Sequence, residues 1–373
     1  MTSPKRLPNY QCAIQQGDDG KARLVNNAAI PTLPPGYVLI KTSAVAINPT
    51  DYKILQNFPV PGAYVGIDFC GTVVQAADDV DLNALKLGTM VSGCSFSFTT
   101  AHRLASGAFA EYVRARADLL LRMNPSHFLE GNTMSATQAA TLGISVSTCC
   151  LALWSPEGLG LQGTPDTPNI SEKRASQVLV YGGSTATGTI AIQLLKLSGY
   201  DPIATCSPRN FDLVRGRGAS AVFDYSIPDV AARIKLHTGG RLKYALDCIS
   251  NADSVLVCYE AIQRPGGRYV SLEYVPDDLL AKRKAVRPNF VFAGEIFGEE
   301  IELGDSRYDR PPNKVKHEFM VSHIGMLQRL LDSGRLRAHP TEVLGGGLQG
   351  ILRGLEVLAS GKISGKKLVA VVE

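Results

Sequence analysis

The segment VLVYGGSTATGTIAIQLL limits what this 373-residue chain can fold into more than any other. A short continuous apolar run, QVLVYGG, starts at Gln177 and ends in Gly182 and Gly183, and a helical pattern follows at once. An apolar run of that length ending in glycine reads as a strand buried on both faces of a parallel sheet. Glycines in the turn let backbone N–H groups approach a pyrophosphate at a helix N-terminus. Ser184, Thr185, Ala186 and Thr187 complete the turn, Ser184, Thr185 and Thr187 adding hydroxyl donors, and Gly188 lets the helix lie close to the sheet. The spacing is not strict G-x-G-x-x-G, so alone the turn would serve equally as a structural feature. Its context decides the reading. Downstream, DPIATC, RNFDLVRGRGA, AVFDY, VAARIKLHTGG, YALDCI and GGRYVSL alternate strand and helix, with Gly199 closing the first helix. That alternation is the sequence form of an α/β, doubly wound parallel sheet.

The second strand bears on which dinucleotide is bound. Sites for NAD place an acid at its carboxyl end, against the ribose hydroxyls. Here PIATC is followed by Ser207, Pro208, Arg209 and Asn210, with no acid. A hydroxyl and a guanidinium suit a 2′-phosphate, which points to NADPH. The plain alternative is that Arg209 is a solvated residue at a helix start. Tyr225, after the third strand, is placed to cradle the same phosphate or to stack on the adenine.

The first third of the chain is different. YVLIKTSAVAIN, GTVVQAA, GTMVSGC and FAEYVRA read as short strands separated by turns, the pattern of a small barrel-like sheet. A helical stretch begins near Ser135, and SPEGLGLQGTPDTPNISEKRAS reads as a surface loop rather than a packed element. The length suits two domains. No run of about 18 apolar residues appears and the N-terminus lacks a signal-like apolar stretch, so a cytoplasmic chain with no membrane span is expected. The net charge of +4 is too weak a bias to suggest nucleic acid. The eight cysteines are scattered with no C-x-x-C pair, and read as buried thiols.

AVAINPTDYK, GIDFCGTVV, GAFAEYV, YGGSTATGTIAIQLLKLSGY and ATCSPRNFDL resemble the zinc-free quinone-oxidoreductase and enoyl-reductase branch of the medium-chain dehydrogenase/reductases. CSPRNFDL, FDY, YALDCI, GGRYVSL, IFGE and ISGKKLV narrow the resemblance to the fungal trans-acting enoyl reductases. The resemblance implies a Rossmann domain at 131–310 and a GroES-like β-barrel catalytic domain from 1–130 and 311–373. It implies NADPH-dependent reduction of the α,β-unsaturated thioester of a polyketide intermediate, carried on a partner polyketide synthase.

It also implies further site residues. Asn48, Pro49, Thr50 and Asp51 would lie beside the nicotinamide, with Lys53 following. Thr50, Asp51 and Lys53 are the catalytic set, with Lys53 the cation nearest the thioester and Asp51 a positioning residue. Lys53 also reads simply as a surface lysine, and Tyr52 is a further proton-donor reading. Gly143, Ile144, Ser145 and Val146 would line nicotinamide and substrate, although GISVSTCC departs from the family where a Thr is common. Ser271 and Leu272 would meet the nicotinamide amide, Ser364 and Gly365 would close on the cofactor, and Glu295, Ile296, Phe297, Gly298 and Glu299 would follow the substrate cleft. No metal is expected: Thr50-Asp51 and Gly66-Ile67-Asp68 stand where zinc enzymes carry Cys and Gly-His-Glu, and the four-cysteine lobe is absent. Pro288 blunts the segment through which many relatives pair, so a monomer is expected. A stand-alone quinone or enone reductase, or a binding protein without catalysis, are the competing readings.

Overall fold

A computed structural model describes residues 7–124, 127, 134–170 and 175–372. In chain order the first part forms β1 (Tyr10–Gln16), β2 (Ala22–Ala29), β3 (Tyr37–Ala46), α1 (Pro49–Asn57), β4 (Asp68–Ala76) and β5 (Met90–Cys94). Next come α2 (Thr100–Ala105), β6 (Tyr112–Arg116), β7 (Leu121–Arg122), α3 (Ala136–Ala139) and α4 (Gly143–Trp154). The middle carries β8 (Gln177–Tyr181), α5 (Ala186–Leu197), β9 (Asp201–Cys206), α6 (Phe211–Gly216), β10 (Ala221–Asp224) and α7 (Val230–His237). It continues with β11 (Tyr244–Asp247), α8 (Ala252–Ala261), β12 (Gly267–Ser271), α9 (Asp277–Leu280) and β13 (Val286–Phe290). The chain ends with α10 (Lys314–Asp332), β14 (Thr341–Leu344), α11 (Gly347–Ala359) and β15 (Lys367–Val371).

The middle strands form one six-stranded sheet in the order β10-β9-β8-β11-β12-β13, every pairing parallel. Strand order reverses between β8 and β11, and ligands of doubly wound sheets bind outside the carboxyl ends of strands at such a switch point. β8 and β11 are apolar runs because helices cover both faces: Val178 and Val180 join one core, Leu179 and Ala245 another.

The GroES-like sheet has seven strands, β14-β15-β3-β4-β5-β7, with β6 also on β3. Its last strand, β15, returns antiparallel to β3, so the two ends of the sequence close one sheet. α4 leaves this domain for the parallel sheet and lies in a core shared by both, which runs from Ala44 and Ile67 to Val180 and Leu246. Among the described residues, 136–154 is the one stretch long and apolar enough to cross a membrane, and 78% of it is buried inside the fold. All eight cysteines are free, with Cys12 and Cys248 only partly buried.

The long stretch after α4 departs from its reading as a surface loop. It has no helix or strand among the described residues, yet Leu159 and Leu161 are buried in the shared core. Their N–H groups donate to Ala152 O and Leu153 O, and Trp154 Nε1 donates to Gly163 O at 2.8 Å. The two leucines are bury-able because the loop folds back along α4 and finds acceptors there. Residues 171–174 of this stretch, the 130/131 domain boundary and residues 1–6 lie outside the described residues.

Candidate active site

A cleft of ≈ 1310 Å³ separates the two domains. Three features build its cofactor side. Gly182 has φ +80°, a left-handed turn that glycine adopts without strain. A Cβ on Gly188 would meet Gly182 O at 2.4 Å, so the helix start can lie against the strand end only because position 188 has none. Thr185 caps α5, its Oγ1 accepting from Gly188 N at 2.9 Å and donating to Gly182 O at 2.9 Å. The result is a helix N-terminus facing a cleft, which suits a pyrophosphate.

Of the residues expected at this end, Gly182, Ser184, Thr185, Ala186 and Thr187 line the cleft, and Gly183 does not, being turned toward Ala204. Ser207 and Tyr225 line it too. They also share a groove of ≈ 320 Å³ with Pro208, Arg209, Asp224 and Ser226. Ser207 Oγ and Tyr225 OH lie 3.3 Å apart. Asp224 is committed to Ser226, accepting from its N–H at 2.9 Å and its hydroxyl at 2.7 Å. Asn210 faces neither space. Its Nδ2 donates to Ser364 Oγ at 2.8 Å, joining the Rossmann domain to the loop before β15, where Ser364 and Gly365 line the cleft. Leu272 lines it, whereas Ser271 points into the sheet with its Oγ toward Asn289 O.

Across the cleft, Asn48, Pro49, Thr50 and Lys53 line the wall with Tyr52. Asp51 does not reach it. As the third residue of α1 it turns back to cap the helix, Oδ2 accepting from Asn48 N at 2.7 Å, which buries the carboxyl and leaves Oδ1 without a partner. Burial pushes Asp51 up to about 8, against the Asn48 N–H that favours the carboxylate; Asp68 adds to the rise and Lys367 opposes it. Beneath this helix start, Asn48 donates from Nδ2 to Asp68 Oδ2 at 3.0 Å and accepts at Oδ1 from Lys367 Nζ at 2.8 Å. Lys367 also meets Asp68 Oδ2 at 2.5 Å, and Asp68 Oδ1 accepts from Ile144 N at 2.7 Å. That carboxylate is fully engaged by protein donors. Among the described residues, no three His, Cys, Asp or Glu side chains converge as a metal site would require.

The substrate side differs from expectation. In α4, Ile144 and Ser145 line the cleft together with Thr148, while Gly143 rests on Gly93 and Asp68 and Val146 is in the core. None of Glu295, Ile296, Phe297, Gly298 and Glu299 lines it; Val291, Phe292, Ala293 and Gly294 do. The chain makes a 3₁₀ turn over Ala293–Phe297 that rolls the later residues inward. Glu295 pairs with Lys316 at 2.6 Å, Phe297 packs on Phe96 with centroids 5.0 Å apart, and Gly298 ends the turn in a left-handed conformation. Glu299 turns away to accept from Tyr37 OH at 2.6 Å and to pair with His102 at 2.8 Å. Sequence reasoning also missed Phe58, Phe98, Leu303 and Tyr308, which make the apolar arm, and Glu273. The only signal for Glu273 was its place two residues beyond β12, at a strand's carboxyl end.

The fold and the cleft define a medium-chain dehydrogenase/reductase with a nicotinamide cofactor, and the glycine turn and helix start fit that cofactor. Residues 34–125 match the alcohol dehydrogenase GroES-like domain, and residues 186–302 match the family described as zinc-binding dehydrogenase. The trans-enoyl reductase TwmE of Talaromyces wortmannii is 64% identical over 371 residues, 99% of this chain and 100% of that protein. The trans-enoyl reductase poxP of Penicillium oxalicum is 43% identical over 370 residues, 98% and 94% of the two chains. A quinone oxidoreductase structure from Coxiella burnetii aligns with a TM-score of 0.70 at 23% identity, over 97% of this chain and 99% of that one, which shows a shared fold. This chain belongs to the trans-enoyl reductases, enoyl-reducing oxidoreductases of the medium-chain superfamily.

Proposed function

We propose that this protein uses NADPH to reduce the carbon–carbon double bond of an α,β-unsaturated thioester, a polyketide intermediate held on the acyl carrier of a partner synthase. The observation that carries this reading is the continuity of the cleft. It is lined by the glycine turn, by α1 and by an apolar arm of Phe58, Phe98, Phe292 and Leu303, and it shares Ser207, Tyr225 and Ser226 with the groove that holds Arg209. Such an arm suits an acyl chain. The relatives TwmE and poxP carry the name trans-enoyl reductase, which supports action on an intermediate belonging to another protein.

For NADPH the support is Arg209 beside Ser207 and Tyr225, with the groove's one carboxylate, Asp224, held by Ser226. When bound against the glycine turn and the start of α5, the cofactor would supply the hydride that the β-carbon takes up. Charge then gathers on the thioester oxygen, and the protein must meet it with donors and deliver a proton to the α-carbon. Lys53 and Thr50 are the donors we assign from α1, both on the cleft wall; Asp51 supports that helix start from beneath it. The net change is one hydride and one proton added across the double bond. We further propose a monomer working in the cytoplasm, with domain boundaries at 1–130 with 311–373 and at 131–310.

The test is NADPH oxidation with an enoyl N-acetylcysteamine thioester and with simple quinones. Turnover of the thioester to its saturated form, without comparable quinone reduction, is the expected result. Preference for quinones would replace the reading with that of a small-molecule quinone reductase.

A further inference from the structure

One wall of the cleft carries a bridge of three side chains from three separate segments. Lys53 on α1 places Nζ 2.5 Å from Glu273 Oε2. Glu273 follows β12 in the other domain, and its Oε1 accepts from Tyr308 OH and from Tyr274 N, the latter at 3.1 Å. All three bridge side chains line the cleft. The Tyr308 ring is boxed by Phe58, Phe290 and Phe292, with centroids 5.9, 5.8 and 5.7 Å away. Burial alone would raise Glu273, but the hydrogen bonds from Lys53 and Tyr308 outweigh it and hold the carboxyl below its usual range, ionised.

Stability does not explain this bridge. Lys53 is 38% exposed and Glu273 28%, and ion pairs so open to water contribute little to a fold. Geometry gives it another use. A lysine ammonium is a point charge on a flexible four-carbon stem. Its three N–H donors include one taken by Glu273, which leaves two for the cleft. Glu273 is itself fixed, because Tyr308 and Tyr274 N hold its second oxygen. Tyr308 spends its proton on Glu273 and so offers the cleft an acceptor, not an acid.

We propose that Glu273 and Tyr308 are positioning residues for the reduction, holding the Lys53 ammonium at the cleft wall with two N–H donors free for the thioester oxygen. The inference rests on the enoyl-thioester reading above and adds to it two residues that act through Lys53. The pair joins one domain to the other, so residues of both domains aim the ammonium.

The experiment compares Glu273→Gln, Tyr308→Phe, Lys53→Ala and Glu273→Gln/Lys53→Ala on an enoyl N-acetylcysteamine thioester, with active sites counted by NADPH fluorescence titration. A misplacement of about 1 Å can cost about a hundredfold, and Glu273→Gln loosens the ammonium without removing it, so it is expected to lower kcat about tenfold, with NADPH affinity unchanged. Tyr308→Phe is expected to lower kcat less. In the Lys53→Ala background Glu273→Gln is expected to add no further loss, because its partner is gone. A merely structural role would instead lower melting temperature or the number of active sites and give additive losses, which would overturn the proposal, as would wild-type kcat for Glu273→Gln. If the wild-type protein does not turn over the thioester, the reading itself fails and the proposal with it; if it does and Glu273→Gln matches it, the proposal alone fails.

Discussion

Lys367 and Asp68, 299 residues apart, meet at 2.5 Å beneath the start of α1, with 5% and 0% of their side chains exposed. Asn48 bonds to both, so this buried pair ties the last strand, β15, to the head of β4 and to the helix that bears Lys53. Removing one member leaves an uncompensated buried charge, which costs about 3–5 kcal/mol. Lys367→Met is therefore expected to lose about that much in urea unfolding of the cofactor-free protein. A loss under about 1 kcal/mol, the range of exposed pairs, would show that the pair is not buried in solution.

Asp51 makes stability depend on pH. Its carboxyl is pushed to about 8 in the fold, chiefly by burial, against about 3.9 for an unfolded aspartate. Between those values the folded protein holds a proton that the unfolded chain has released, so stability falls as pH rises through that window. Below it, Asp51 has no effect; above about 8, its full penalty is present. Asp51→Asn keeps an acceptor for Asn48 N and removes the charge. Its melting temperature relative to wild type is expected to climb between about pH 4 and about pH 8, the window set by the two values, and to level off above it. Parallel melting curves across that range would contradict the assignment.

Arg209 should set cofactor choice. A charge-assisted contact to the 2′-phosphate is worth roughly 1.5–3 kcal/mol. Arg209→Ala is expected to weaken NADPH binding about ten- to a hundredfold and to leave NADH nearly unchanged, as read by fluorescence titration. Equal loss for both cofactors would reject the contact.

Zinc should be dispensable. Asp68 already accepts from Lys367, Asn48 and Ile144, and Ile67 beside it offers no ligand. Activity is expected to survive prolonged EDTA treatment, and elemental analysis to find no stoichiometric zinc. One tightly bound zinc per chain would overturn this.

Assembly follows from β13, the edge of the parallel sheet, which carries Pro288 opposite Tyr269. Proline removes a ladder donor, so pairing of two such edges is disfavoured. Light scattering at micromolar concentration is expected to give the mass of one chain; twice that mass would sink the prediction.

The sequence by itself determined the parts whose chemistry is local. The strand ending in Gly182 is legible because an apolar run must be buried and a left-handed turn needs glycine, and both facts sit within neighbouring residues. The alternation after it specified the doubly wound sheet, and the placement of Ser184 to Thr187 and of Ser207 on the cleft followed from being at strand ends. Which side chains face the cleft elsewhere was decided only by the tertiary structure. Val291 to Gly294 line it in place of Glu295 to Glu299 because a 3₁₀ turn and the partners Lys316, Phe96, Tyr37 and His102 draw the later segment inward. Asp51 left the wall because capping α1 rotates it beneath the helix. Lys53 met Glu273, and Lys367 met Asp68, only because two sheets and the far end of the chain close on one another. Separations of 220 and 299 residues leave no trace in local pattern, since charge pairing depends on distance in space and not on distance along the chain.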